Sequence, residues 1–158
     1  MEYGTIYFLD ASALVKLVIQ EDGSPALSEF IEKGGPFYTT LICFGEALGV
    51  LKRKRFAKNG VLTQEAYIAT TNYLRSLFTS NVVHLEGPEI TAHAVFFESA
   101  DLSDKYGIDL SDALQIVTVR ASRIVGATLI TADEALANAA RAERIIVWDC
   151  LREAPPKT

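Results

Sequence analysis

Chemically specialised side chains are scarce in this chain of 158 residues, which has two cysteines, two histidines, one methionine and one tryptophan. Cys43 and Cys150 stand far apart and without metal-ligand spacing. That argues against a zinc knuckle or a disulfide framework and leaves two free thiols, buried or incidental, which fit a reducing, cytoplasmic compartment. His84 and His93 have no partner at ligand spacing and read as core or surface residues. Long apolar runs are missing too. Ala13 to Ile19 and Ile116 to Val119 are short and bounded by charge, and the first residues lack a basic stretch followed by an apolar segment. Neither secretion nor a membrane span is expected. Nor is there an excess of positive charge: the net charge of -5 excludes a protein that coats nucleic acid through a generally basic surface. Any nucleic-acid activity must come from a local site. Internal repeats and low-complexity linkers are absent.

What the chain does have is apolar material. At 49% hydrophobic residues and a mean hydropathy of +0.19 it can bury one sizeable core but not two. One domain over residues 1–150 is expected, followed by a short polar tail over 151–158 that frays from Glu153. Five short runs rich in β-branched and aromatic residues read as buried strands: Thr5 to Leu9, Phe37 to Thr39, Val82 to Leu85, Thr128 to Thr131 and Ile145 to Trp148. Helical periodicity fills the intervals, at Ser12 to Gln20, Pro25 to Glu32, Ile42 to Lys58, Thr63 to Phe78, Pro88 to Tyr106, Leu110 to Arg123 and Glu134 to Ala142. The alternation predicts a three-layer α/β/α fold with a mostly parallel central sheet of about five strands. Ligands of such folds sit beyond the carboxyl ends of the strands.

Four acids fall at telling places on this scaffold. Asp10 ends the first strand and Asp133 the fourth, each at a junction that also welcomes aspartate as a helix cap. Glu46 lies within the third helix with Ile42 and Val50 four residues away on its own face. A carboxylate buried on such a stripe requires a metal, a cation or a proton. Asp112 lies in the first turn of a helix apolar almost all round. There it has a second reading, as the far member of a capping box whose cap is Asp109. Acids from four elements meeting on one rim would repel one another unless a cation neutralised them, and hard oxygen ligands suit Mg²⁺ or Mn²⁺. Such a centre hydrolyses phosphodiesters by metal-activated water, with no side-chain nucleophile. The hydroxyls of Ser12 and Thr131 either orient these carboxylates or make turn and cap hydrogen bonds. A phosphotransferase with a strand-end aspartate nucleophile commonly carries a second acid two residues on, where this chain has Ser12.

These residues resemble a family, the PIN-domain nucleases, and within it the VapC-type toxins of prokaryotic toxin-antitoxin pairs. The matching segments are Phe8 to Leu14, Glu46 in its helix, Asp112 to Gln115, and Leu129 to Leu136, spread over nearly the whole chain. The resemblance implies a Mg²⁺- or Mn²⁺-dependent endoribonuclease, often a homodimer, held inactive by a VapB-type antitoxin. It carries the acidic positions over to Asp10, Glu46, Asp112 and Asp133, and the hydroxyl positions to Ser12 and Thr131, with Thr40 as a small hydroxyl residue before the glutamate helix. A stand-alone PIN-domain nuclease of RNA processing and a non-catalytic interaction module are the alternatives. The chain departs from compact members by its length around Thr63 to Asn81.

For RNA to be held, cations are needed near the acids. The Glu46 helix ends in Lys52-Arg53-Lys54-Arg55, and seven residues of helix put Arg53 roughly 10 Å from Glu46. Arg53 and Arg55 either bind the phosphate backbone or complement the helix dipole at a solvated end. Lys16, Arg120 and Arg123 are further candidates. Trp148 and Tyr73 read as packing residues.

Overall fold

The structure, a computed structural model, describes residues 5–87, 92–122 and 126–157. Five strands make one sheet: β1 (Tyr7–Leu9), β2 (Phe37–Thr39), β3 (Val83–Leu85), β4 (Thr128–Thr131) and β5 (Ile146–Asp149). Their order is β3-β2-β1-β4-β5, and every neighbouring pair is parallel. The expected "mostly parallel" sheet is thus parallel throughout, as it must be when helices rather than hairpins join its strands. The helices are α1 (Ala11–Val18), α2 (Ser24–Glu32), α3 (Leu41–Phe56), α4 (Gln64–Thr79), α5 (His93–Tyr106), α6 (Leu110–Ala121) and α7 (Glu134–Ala142). Pro88 to Thr91, where the fifth helix was expected to begin, lie outside the described residues, as do Arg123 and Thr158.

Side chains alternate across a strand, so each short apolar run feeds two cores. Tyr7, Leu9, Phe37, Val83, Ile130 and Trp148 enter one core, shared with α1 to α4. Phe8 and Leu129 enter the other, shared with α5, α6 and α7. That is the three-layer arrangement, with continuous apolar strands because both faces are covered. In the first core Phe30 sets its ring 4.8 Å from that of Trp148 and 5.0 Å from that of Tyr7. The added stretch after Thr63 becomes α4, which packs on α1 and α3 and puts Leu74 and Leu77 into the first core. It extends that layer. Tyr73 of α4, expected to pack, is exposed beside a groove of about 450 Å³ at the amino ends of β2 and β3.

Glu153, the first residue of the expected frayed tail, is itself held: the Trp148 indole donates to its carbonyl, and its carboxylate accepts from the Asp149 amide. Among the described residues no helix is long and apolar enough to cross a membrane. The chain winds from β1 outward to β3 on one side, then returns to place β4 and β5 on the other side of β1. The loops after β1 and β4 therefore part company at the carboxyl edge, and open sheets of this kind have their crevice there.

Candidate active site

Asp10 follows β1 directly and caps α1, its Oδ2 accepting from the Ser12 amide at 3.2 Å. The same oxygen accepts from the Ser12 hydroxyl at 2.7 Å and from the Thr131 hydroxyl at 3.0 Å. Ser12 Oγ also accepts from the Ala132 amide, and Thr131 Oγ1 from the Asp133 amide. Turn bonding and carboxylate orientation, the two readings open for these hydroxyls, are met by the same two atoms. Asp10 is only 3% exposed, a position a carboxylate tolerates when donors surround it. Its other oxygen, Oδ1, faces the thiol of Cys43, 3.6 Å away. Burial first, and then the Asp10 charge, push that thiol well above its ordinary value, so it stays protonated and donates.

Glu46 stands on α3, and one donor atom each of Asp10, Cys43 and Glu46 lie within 4.8 Å of one another. Here the sequence expectation needs correction. Glu46 is half-buried, and the buried stripe of α3 is Cys43, Ala47 and Leu51. The Ile42, Glu46 and Val50 face forms a cavity wall instead of core. Asp112, in the first turn of α6, is half-buried, and its carboxyl is pushed up to about 7, first by burial and then by Asp10, Asp133, Glu46 and Asp109. Asp133 caps α7 through Leu136 and is exposed.

These carboxylates line one open cavity of about 600 Å³, together with Asp109, Ser111, Gly45, Gly49 and Arg53. Asp109 is a residue the sequence reading set aside. It occupies the cap position of α6 but makes no capping hydrogen bond, so the capping box is not formed and its carboxylate joins the acidic wall. No sequence signal separates the two roles, since both want an acid before a helix. Arg53 lines the same cavity, whereas Arg55 donates to Gln64 and lies over the Phe56 ring, turned toward α4. Lys16 is buried beside Glu21, and Arg120 is paired with Glu98 and Glu143. Neither is free to reach the cavity.

The donor set is what a hard divalent cation takes: carboxylate oxygens from four elements, beside a buried thiol whose soft sulfur suits such an ion poorly. The raised carboxyl of Asp112 marks a place short of positive charge. Asp10, Glu46, Asp112 and Asp133 are the residues that would hold such an ion.

A family model described as PIN domain matches residues 7–142. Among solved structures the chain is similar to PAE2754 from Pyrobaculum aerophilum, at 21% identity over 90% of this chain and 89% of that one, with a TM-score of 0.61. It is similar to VapC20 of Mycobacterium tuberculosis, described as a sarcin-ricin loop cleaving toxin, at 17% identity over 84% and 94%, with a TM-score of 0.61. It is similar also to FitAcB from Neisseria gonorrhoeae, at 14% identity over 93% and 99%, with a TM-score of 0.62. At such identities the likeness is one of fold. No curated protein matches the sequence.

Proposed function

The chain belongs to the PIN-domain family, and from that premise we propose that it is a Mg²⁺- or Mn²⁺-dependent endoribonuclease, the toxin of a VapBC-type pair. One observation carries the reading: carboxylates from four separate elements line a single cavity at the switch point of the sheet, with one arginine in the wall. The description of VapC20 as a loop-cleaving toxin supports RNA as the substrate. A bound divalent cation would supply the Lewis acid that polarises the phosphoryl group and activates water.

The chain's own residues prepare that chemistry. Ser12 and Thr131 together pin Oδ2 of Asp10, the Cys43 thiol holds Oδ1, and one oxygen of this carboxylate lies within 4.8 Å of one of Glu46. Asp112 and Asp133 close the ring from α6 and the β4–α7 junction. Arg53, one wall away, receives a phosphate of the strand being cut and steers an otherwise acidic surface toward RNA. The antitoxin partner, the homodimer and the cytoplasmic setting belong to the same reading.

The test is incubation of the purified, inhibitor-free chain with structured RNA, with and without Mn²⁺, beside Asp10→Asn. Wild type should cleave only with metal, and the variant should be slower by at least about a hundredfold. Equal cleavage by both, or cleavage without metal, would sink the proposal. The toxin assignment expects a small reading frame for a DNA-binding antitoxin upstream of and overlapping the coding sequence.

A further inference from the structure

The helix bearing Asp112 and the helix bearing Glu46 belong to opposite layers of the fold. α6 packs with α5 and α7 beneath the sheet, while α3 packs with α1 and α4 above it. They meet past the carboxyl end of β2, where the cavity needs them in register. At that point Gln115, one turn after Asp112, is fully buried in a helix segment whose residues Ala113 to Val119 are all buried. Its Nε2 donates to Thr40 Oγ1 at 2.7 Å. Its Oε1 is buried and has no partner among the described residues.

A glutamine there is a poor choice for stability alone. An orphaned buried acceptor is costly, and a leucine or methionine of like size would fill the space without it. What the glutamine adds is a directional link. Thr40 caps α3 by accepting from the Cys43 amide at 3.1 Å, and the Cys43 thiol donates to Asp10 Oδ1 at 3.6 Å. A buried polar chain thus runs from α6 through the start of α3 to the carboxylate after β1. Its three elements are those that carry Asp112, Glu46 and Asp10.

We infer that Gln115 is a positioning residue, which acts through Thr40 to lock α6 against the amino end of α3 and so holds the cavity's carboxylates at the spacing a cation requires. The inference rests on the metal-site reading of that cavity. It is confined to the chain's own geometry, however, and that geometry exists with or without metal.

Two measurements on the full chain test it. The first is Mn²⁺ affinity without RNA, by calorimetry. Gln115→Leu and Thr40→Val should each weaken it by about tenfold, as loss of an outer partner of a metal ligand does, while Thr40→Ser keeps the wild-type value. The second is the metal-free distance distribution between spin labels on Lys52→Cys of α3 and Ala121→Cys of α6, both exposed positions. It should broaden in the leucine and valine variants alone. Urea unfolding of Gln115→Leu should stay cooperative, with a midpoint at or near that of wild type. Should the leucine variant fail to fold, the Thr40 pair decides. Unchanged distances in the leucine or valine variant overturn the inference, as does a serine variant no better than valine. If wild type binds no Mn²⁺ yet the leucine and valine variants show the broadening, the positioning role stands and the metal reading is refuted.

Discussion

Glu21 ties together two lysines from different helices, Lys54 at 2.8 Å and Lys16 at 3.5 Å. Partial burial works to raise its carboxyl, but the two ammonium groups outweigh it and hold the group below its ordinary value of 4.5. A carboxylate so depressed contributes its stability above the unfolded value and loses it as pH falls through the folded one. Glu21→Gln should therefore lower the unfolding free energy by about 2 kcal/mol at pH 7, much of it from leaving the buried Lys16 unpaired, and by less at pH 3. Urea titrations at the two pH values measure this, and an equal loss at both would refute it. Arg53 and Arg55 offer a second contrast. Arg53→Ala should weaken RNA binding and reduce its salt slope by about one, while Arg55→Ala, whose guanidinium is turned to Gln64, should leave the slope alone. Equal slopes for all three chains would remove Arg53 from the substrate path. At this scale the sequence told which acids were unusual but not what stood opposite them. Ile42 and Val50 identify the face of Glu46, yet a cavity wall and a core stripe have the same period. For Asp109 a cap and a cavity carboxylate have the same address.

Helix α3 shows what an element gives up for its surroundings. Gly45 and Gly49 sit inside it, where glycine costs about 0.5–1 kcal/mol relative to alanine. A Cβ at Gly45 would meet nothing within 4 Å, and at Gly49 only the Arg53 guanidinium at 3.5 Å. Either alanine substitution should therefore raise stability by about that amount, read from denaturant midpoints. Each would also put a methyl group into the acidic cavity, so RNA cleavage should fall as stability rises. Lower stability in both variants would show that the helix needs its glycines for packing. Gly23 is the opposite case, with φ of +87° and the Cys150 carbonyl 2.6 Å from an added Cβ. Alanine there should destabilise by more than about 1 kcal/mol. Elements themselves were legible: among the described residues five strands and seven helices fall close to the apolar runs and periodic segments that signal them, the expected start of α5 lying outside those residues. Strands buried on both faces leave a strong signature.

Across the whole molecule, pairing partners are distant in sequence. β1 is the central strand, bonded to β2 on one side and to β4 on the other, and Thr131 reaches Asp10 across 121 positions. Strand order could not be read from the sequence, because alternating βα units fix parallelism but not which way each crossover turns. Truncation tests the dependence directly. A chain ended before Thr128 retains Asp10, Glu46 and Asp112 but lacks β4, β5 and Asp133, and should neither bind Mn²⁺ at the wild-type affinity nor cleave RNA. Retained cleavage would mean that the switch-point cavity is not the site.

The same topology acts as a clock. The hydroxyl that steadies the first acid of the cavity, and the last carboxylate, are made about 120 residues after that acid. On the proposed reading, a nascent chain that holds only the earlier acids has no hydrolytic capacity, which arrives only when β4 closes on β1.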